Sequence, residues 1–77
     1  AYYLINDFNK AEKFLKKALE IMPEDPIVND HYGDILWKLN RKIQARYFWS
    51  MVLEMEDAED ELIEKIYIKL IDGPKSS

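Results

Sequence analysis

Residues 26–59 read PIVNDHYGDILWKLNRKIQARYFWSMVLEMEDAE, and the pattern of this segment predicts the fold of the chain. Its apolar residues recur in steps of three and four, which places them on one face of an α-helix. One stripe precedes Asn40 and a second follows it: Ile27, Tyr32, Ile35, Leu36 and Leu39, then Ala45, Phe48, Trp49, Val52 and Leu53. The stretch therefore predicts two helices, at about 26–39 and 43–55, joined by a short turn.

Helical spacing continues on both sides of this stretch. It predicts further helices at about 1–5, 9–22 and 58–71. The composition agrees, because the 77 residues include only 2 Gly, 3 Pro and no Thr, whereas strand-rich folds use Thr and Gly-rich turns freely. The chain is therefore predicted to be all-α.

Polar and turn residues mark the ends of these predicted helices. Asp25 is expected to act as the N-cap of the helix that begins at the following proline. Asn40 is expected in the left-handed conformation that ends a helix. Asp57 is expected to cap the last helix, and Gly73 with its following proline is expected to end it.

A shift of 34 residues aligns the sequence with itself. The pairs between the second and fourth predicted helices are Ala11 with Ala45, Phe14 with Phe48, Leu15 with Trp49, and Ala18 with Val52. A second shift of 34 pairs Val28 with Leu62, Tyr32 with Ile66 and Leu36 with Leu70, and Tyr67 falls where Gly33 stands. The chain is therefore predicted to hold a broken copy, a whole copy and the first helix of a third.

This 34-residue helix–turn–helix unit resembles the tetratricopeptide repeat (TPR) family, and most closely its bacterial members. Four residues of the whole copy stand at the family's signature positions: Gly33, Ala45, Trp49 and Val52. Four residues of the first copy match as well: Ala11, Leu15, Ala18 and Pro23. The departures are Asn29 for a large apolar residue, Asn40 for the turn glycine and Asp57 for the terminal proline.

The resemblance implies antiparallel helix-turn-helix repeats wound into a TPR-like right-handed superhelix. One domain would span 1–74, with a partial repeat at 1–25, a full repeat at 26–59 and a capping helix at 60–74, before a tail at 75–77. Gly33 would let neighbouring helices approach closely. The expected packing residues are Ala11, Leu15, Ala18, Tyr32, Gly33, Leu36, Ala45, Trp49 and Val52.

The family resemblance also implies a concave groove, lined by the first helix of each pair, that binds a peptide or a partner helix. The expected lining is Tyr3, Ile27, Asp30, His31, Asp34, Trp37, Lys38, Glu61, Glu64, Lys65 and Ile68. With Asp72, this lining holds five carboxylates against two lysines. We expect a basic peptide with an apolar residue that anchors on Trp37 and Tyr3. An ordinary solvated helix face remains the alternative for the charges, and ordinary packing remains the alternative for Trp37.

Charge and composition narrow the function classes. The net charge of −4 and the pI of about 4.9 disfavour nucleic acid and anionic membranes as partners. The absence of Cys removes disulfides, thiolate metal sites and cysteine nucleophiles. His31 lacks an oriented nucleophile, and the acidic cluster at 54–61 lacks the spacing of a calcium loop. We therefore expect a non-catalytic protein without a metal or cofactor.

A structural role is the alternative to peptide binding. The truncated first copy leaves an apolar N-terminal face, which could associate with a second copy to form a homodimer. The residues of this face are Tyr2, Tyr3, Leu4, Phe8 and Phe14. The chain is expected to be a piece of a larger protein, because it begins without Met and in the middle of an apolar pattern. It is expected to be soluble, since no apolar run approaches about 20 residues, and the choice between a cytoplasmic and a periplasmic location is left open.

Overall fold

A computed structural model describes residues 8–74 and contains four α-helices in that range. They are α1 (Phe8–Ile21), α2 (Pro26–Lys38), α3 (Lys42–Val52) and α4 (Asp60–Asp72). The described residues include no strand, so the all-α prediction is confirmed for this part of the chain. The predicted helix at 1–5 and the predicted tail at 75–77 lie outside the described residues. None of the four helices is long and apolar enough to cross a lipid bilayer.

Three of the predicted helix ends are confirmed. The Asp25 carboxylate accepts hydrogen bonds from the backbone N–H groups of Ile27 (2.9 Å) and Val28 (3.1 Å), as an N-cap does. Asn40 has a φ of 64°, the left-handed conformation that ends a helix. Gly73 ends α4, and its N–H donates to the carbonyl of Lys69 at 2.7 Å.

The predicted cap at Asp57 is wrong. The N-cap of α4 is Glu59, whose side chain makes no capping hydrogen bond. Residues 53–58 instead form successive tight turns: the N–H of Met55 donates to the carbonyl of Val52, and that of Ala58 donates to Met55. Because these turns begin directly after Val52, α3 also ends three residues earlier than its apolar spacing predicts.

The contacts define how the helices run. Near the start of α2, the carbonyl of Asp30 accepts from Nε1 of Trp49, near the end of α3, at 3.3 Å. Near the end of α2, the ring of Trp37 lies under Nζ of Lys42, at the start of α3. Helices α2 and α3 are therefore antiparallel. Helix α4 runs parallel to α2, because Lys69 reaches the middle of α2 and Gly73 lies beside Trp37, near its end.

The core lies where α3 packs on α2 and α4. Its fully or almost fully buried apolar residues are Tyr32, Leu36, Ala45, Trp49, Val52 and Ile66. The ring of Tyr32 meets the ring of Phe48 edge-to-face, with centroids 4.8 Å apart. Helix α1 is less enclosed: Leu15 and Leu19 pack on the core, but no residue of α1 is fully buried. Ala11 and Ala18, which we expected in the packing, are half-buried.

Asn29 explains one departure from the repeat pattern. Its side chain is fully buried, and its Nδ2 atom donates to the carbonyls of Pro23 (3.1 Å) and Asp25 (2.9 Å). A large apolar residue could not make these bonds. The amide therefore ties the loop before α2 to the helix itself.

Replacing Gly33 with alanine should destabilise the fold. A Cβ atom at this position would lie 2.7 Å from Cδ1 of Trp49, which is fully buried and cannot swing away. Alanine gains about 1 kcal/mol of helix propensity. Overpacking of this kind costs about 1–3 kcal/mol. We expect a net loss of roughly 1 kcal/mol, measured by urea denaturation.

A double-mutant cycle checks the cause of that loss. In a Trp49→Leu background, which copies the Leu15 of the first repeat, Gly33→Ala should be neutral or stabilising because the clash is gone. An equal loss in both backgrounds would show that Trp49 is not what excludes a side chain at Gly33. Ser50→Ala, which changes an exposed residue of α3, is the control for the effect of alanine on helix propensity.

Candidate binding cleft

A cleft of about 480 Å³ lies between the first turns of α2 and α4. Its lining residues are Glu24, Asp25, Pro26, Ile27, Asp57, Glu59, Glu61, Leu62 and Lys65. The Asp25 cap fixes where α2 begins, and the tight turns at 53–58 bring the start of α4 beside it. Since the two helices are parallel, their first turns lie at the same end of the molecule.

The cleft is lined by acidic and apolar side chains. Five carboxylates line it against the single ammonium group of Lys65. The carboxylate of Asp25 is engaged in capping, whereas Glu24, Asp57, Glu59 and Glu61 are all exposed. The apolar residues of the lining include half-buried Leu62 and Ile27, which is 52% exposed. The arrangement offers anionic hydrogen-bond acceptors around an accessible apolar patch.

The structure brings together only part of the predicted groove. Ile27, Glu61 and Lys65 line the cleft. Four other predicted residues are exposed but lie outside the cleft: His31, Lys38, Glu64 and Ile68. Tyr3 lies outside the described residues. The predicted groove missed Glu24, Asp57 and Glu59, which enter the cleft through the loops that precede α2 and α4.

The prediction that Asp30 lines an accessible groove is wrong. Its side chain is only 8% exposed and accepts a hydrogen bond from Nζ of Lys69 at 2.8 Å. The same ammonium group donates to both carboxylate oxygens of Asp34, at 2.9 and 3.2 Å. Two of the five carboxylates assigned to the groove therefore share the single positive charge of a lysine on the neighbouring helix.

The pKa shifts in this cluster follow from burial and from the shared cation. Burial raises the pKa of Asp34, the hydrogen bond from Lys69 partly offsets it, and the charge of Asp30 raises it further. Burial lowers the pKa of Lys69, but the hydrogen bonds to Asp30 and Asp34 and the negative charges of both carboxylates together outweigh burial, so the net shift is upward. The two carboxylates share one cation, so the hydrogen bond from Lys69 lowers the pKa of Asp34 while the neighbouring charge of Asp30 raises it.

Lys69 was missed because the groove was assigned by helical phase alone. The signal that could have found it is the repeat period. Lys69 stands 35 residues after Asp34, so parallel helices offset by 34 residues place the two side by side. The phase of a single helix does not show which residue of the next helix faces it.

Trp37 is a packed aromatic and does not project into the cleft. The ring centroid of Trp37 lies 5.5 Å from that of Trp49. Nζ of Lys42, at the start of α3, lies 5.0 Å from the Trp37 centroid. A Cβ on Gly73 would lie 2.7 Å from its Cζ2 atom, so the end of α4 closes over it. Half-buried Trp37 thus makes the contacts of the packing alternative, and Ile27 is the accessible apolar residue at the cleft.

Two other charged features have structural partners. The Glu12 carboxylate of α1 accepts from Nη1 of Arg41 at 2.8 Å and from the Tyr32 hydroxyl at 3.4 Å, which ties α1 to α2. Burial, followed by the charge of Glu12, raises the pKa of Tyr32. Between residues 8 and 74, no group of three or more His, Asp or Glu side chains is arranged to hold a metal ion.

The described residues thus define an all-helical protein of antiparallel helix neighbours with an acidic cleft at one end. Comparison with known protein families, with curated proteins and with solved structures finds no significant match to this chain.

Proposed function

We propose that this chain is a short TPR-like array that acts as a non-catalytic protein-interaction module. Its ligand is a basic peptide segment, which binds in the cleft between the first turns of α2 and α4. The observation that carries this proposal is the lining of the cleft: five carboxylates and one lysine around exposed Ile27.

Two contacts support the repeat interpretation. Gly33 of α2 accommodates the buried Trp49 of α3, at the positions where the resemblance calls for a small residue and a large aromatic. Helix α4 runs parallel to α2 and one period further along the chain, as the first helix of a following repeat would. In a TPR-like array these two helices would line the concave side, and the cleft lies between them.

The chemistry of the cleft selects the ligand. Exposed carboxylates favour Lys or Arg, and an acidic ligand would be repelled by four of them. The patch of Ile27 and Leu62 favours an apolar side chain next to the basic one. The preference for a basic ligand therefore rests on Glu24, Asp57 and Glu59 beside Glu61, rather than on Asp30 and Asp34.

Peptide titration tests the proposal. A blocked hexapeptide of alternating Lys and Leu should bind, whereas its Glu counterpart should not, as measured by fluorescence anisotropy. Glu24→Lys and Glu59→Lys should each weaken binding by about tenfold, because each reverses a charge of the cleft lining. Raising the salt from 0.05 to 0.5 M should weaken binding of the unmodified chain, because the acidic side chains of the lining are exposed.

Glu54→Lys is the matched control. It makes the same charge change on an exposed residue that does not line the cleft. It should weaken binding far less than Glu24→Lys does. An equal loss of peptide affinity in both variants would show that the effect comes from the overall charge rather than from the cleft. Stronger binding of the acidic peptide would refute the proposal.

A further inference from the structure

The two walls of the cleft are held in different ways. The wall on α2 is fixed by bonds within its own segment: the Asp25 carboxylate caps the helix, and Nδ2 of buried Asn29 donates to the carbonyls of Pro23 and Asp25. These bonds join residues that are at most six positions apart in the chain. The first turn of α2, and with it Glu24 and Ile27, is therefore set locally.

The wall on α4 depends instead on packing. The N-cap residue of α4, Glu59, makes no capping hydrogen bond with its side chain. Within the described part of the chain, Ile66 is the one fully buried residue of α4, while partly buried Leu62 and Leu70 pack against the core. The position of the first turn of α4 beside α2 therefore depends on how the whole helix docks.

Among residues 8–74, one side chain supplies the hydrogen bonds that join α4 to the other helices. Nζ of Lys69 donates to the carboxylates of Asp30 and Asp34 on α2. The same ammonium group lies 5.7 Å from the ring centroid of Trp49 on α3. Lys69 thus links α4 to both of the helices on which it packs.

We propose that Lys69 is a positioning residue for the cleft: its ion cluster docks α4 on α2, and this docking sets the acidic first turn of α4 beside Ile27. Lys69 does not line the cleft. It stands eight residues after Glu61, which is about 12 Å along a helix, so it acts on a ligand only through α4. The inference rests on the proposed function, because it names what controls the affinity of that same cleft.

Docking of α4 and binding of a peptide should be coupled. A peptide that contacts Glu24 on one wall and Glu59 on the other binds only while α4 is docked. Its apparent dissociation constant is then the intrinsic value divided by the docked fraction. The coupling is reciprocal, so a peptide at 100 times its dissociation constant should lower the undocked population by about 100-fold.

The sign of the effect separates positioning from simple electrostatics. Lys69→Met removes a positive charge and leaves Asp30 and Asp34 unpaired, so charge alone predicts that a basic peptide binds more tightly. Positioning predicts the opposite. We expect the variant to bind the blocked hexapeptide of alternating Lys and Leu about threefold to tenfold more weakly than the unmodified chain does, as measured by fluorescence anisotropy.

Arg41→Met is the matched control. Arg41 is also a cation that joins two helices, since its Nη1 atom donates to Glu12 of α1 from the position that precedes α3. Both variants therefore remove one positive charge and one interhelical ion pair. Helix α1 lies outside the cleft, so Arg41→Met should not weaken peptide binding.

Asp30→Asn should rescue the Lys69→Met variant. The added change removes the most buried of the unpaired charges, so α4 should dock again. The dissociation constant of the double variant should return to within about twofold of that of the unmodified chain. Charge alone predicts a further loss of affinity instead, because the double variant has lost a carboxylate.

Hydrogen exchange followed by mass spectrometry measures the docking of α4 without a peptide. The backbone amides of α4 should exchange at least about tenfold faster in Lys69→Met than in the unmodified chain, and those of α2 and α3 should change less. Arg41→Met should leave exchange in α4 unchanged. A saturating concentration of the hexapeptide should slow exchange in α4 of the unmodified chain.

Two results would overturn the positioning role. One is exchange in Lys69→Met that is no faster in α4, or that is accelerated equally in all helices. The other is an α4 that exchanges faster while peptide affinity stays unchanged or rises. If the hexapeptide does not bind the unmodified chain, the proposed function fails, and exchange in α4 alone then decides whether Lys69 docks this helix.

Discussion

Replacing Trp49 with alanine is expected to lower the free energy of unfolding by about 3–5 kcal/mol. The side chain is fully buried between α2 and α4. It fills the space beside Gly33, stacks 5.5 Å from Trp37 and donates from Nε1 to the carbonyl of Asp30 at 3.3 Å. The variant therefore loses packing, leaves a cavity and frees a buried acceptor at once.

This loss is comparable with the total stability of a chain of this size, which is about 5 kcal/mol. We expect the variant to be largely unfolded at 25 °C, with a reduced circular dichroism signal at 222 nm and no cooperative urea transition. Tyr47→Ala is the matched control on the same helix, where the exposed ring should cost less than about 0.5 kcal/mol. A Trp49→Ala variant that unfolds cooperatively within about 1 kcal/mol of the unmodified chain would contradict this core.

Replacing Lys69 with methionine is expected to cost about 2–4 kcal/mol at neutral pH. Removing one partner of a buried ion pair costs about 3–5 kcal/mol because the other charge stays buried. The expected cost of about 2–4 kcal/mol is lower than this range because Asp34 is 36% exposed and keeps part of its hydration. Methionine retains the apolar stem over Trp49, so the loss reports on the charge rather than on packing.

The cost of Lys69→Met should depend on pH in both directions. Pairing raises the pKa of Lys69, so its stabilising contribution is complete below the ordinary value of 10.5 and is lost as the pH rises through the shifted value. Burial already raises the pKa of Asp34, and removing the cation should raise it further, so protonating Asp34 relieves the folded variant. The difference in free energy of unfolding between the variant and the unmodified chain should therefore be largest from neutral pH to about 10. It should decrease toward pH 3.8, the ordinary pKa of Asp.

Two further variants separate the charge effect from general damage. Lys65→Met makes the same change one turn earlier on α4, at an exposed side chain, and should cost little. Adding Asp30→Asn to Lys69→Met should recover at least half of the loss, because the most buried charge is then removed. A loss that is equal at pH 4 and pH 9, or that Asp30→Asn leaves unchanged, would show that the ion cluster is not its cause.

Local sequence was sufficient for the helices and most of their ends. Apolar residues at steps of three and four predicted α1 to α4, because burying one helix face is what this spacing achieves. Asp25 and Asn40 were predicted as helix ends because their side chains act on the backbone within a few residues. The prediction that Asp57 caps the last helix was wrong because the turns after Val52, rather than a capping side chain, determine where α4 begins.

The functional site depended on pairings between helices that the sequence does not state. Helical phase assigned Ile27, Glu61 and Lys65 to one groove, and these three residues line the cleft between the starts of two parallel helices. It could not show that Lys69 reaches across to Asp30, because phase describes one helix at a time. The alignment of α4 beside α2 is what brings Lys69 to Asp30 and forms a buried ion cluster. The exposed acidic surface is then the one at the cleft.

Residue spacing and side-chain size were therefore enough to predict the helical class, the 34-residue period and the need for glycine at position 33. The packing of the helices determined which charges pair inside the fold and which face solvent. It paired Asp30 with Lys69 and placed Gly73 against Trp37. It also left Ile27 open among the carboxylates, because burial and pairing depend on which helices lie side by side.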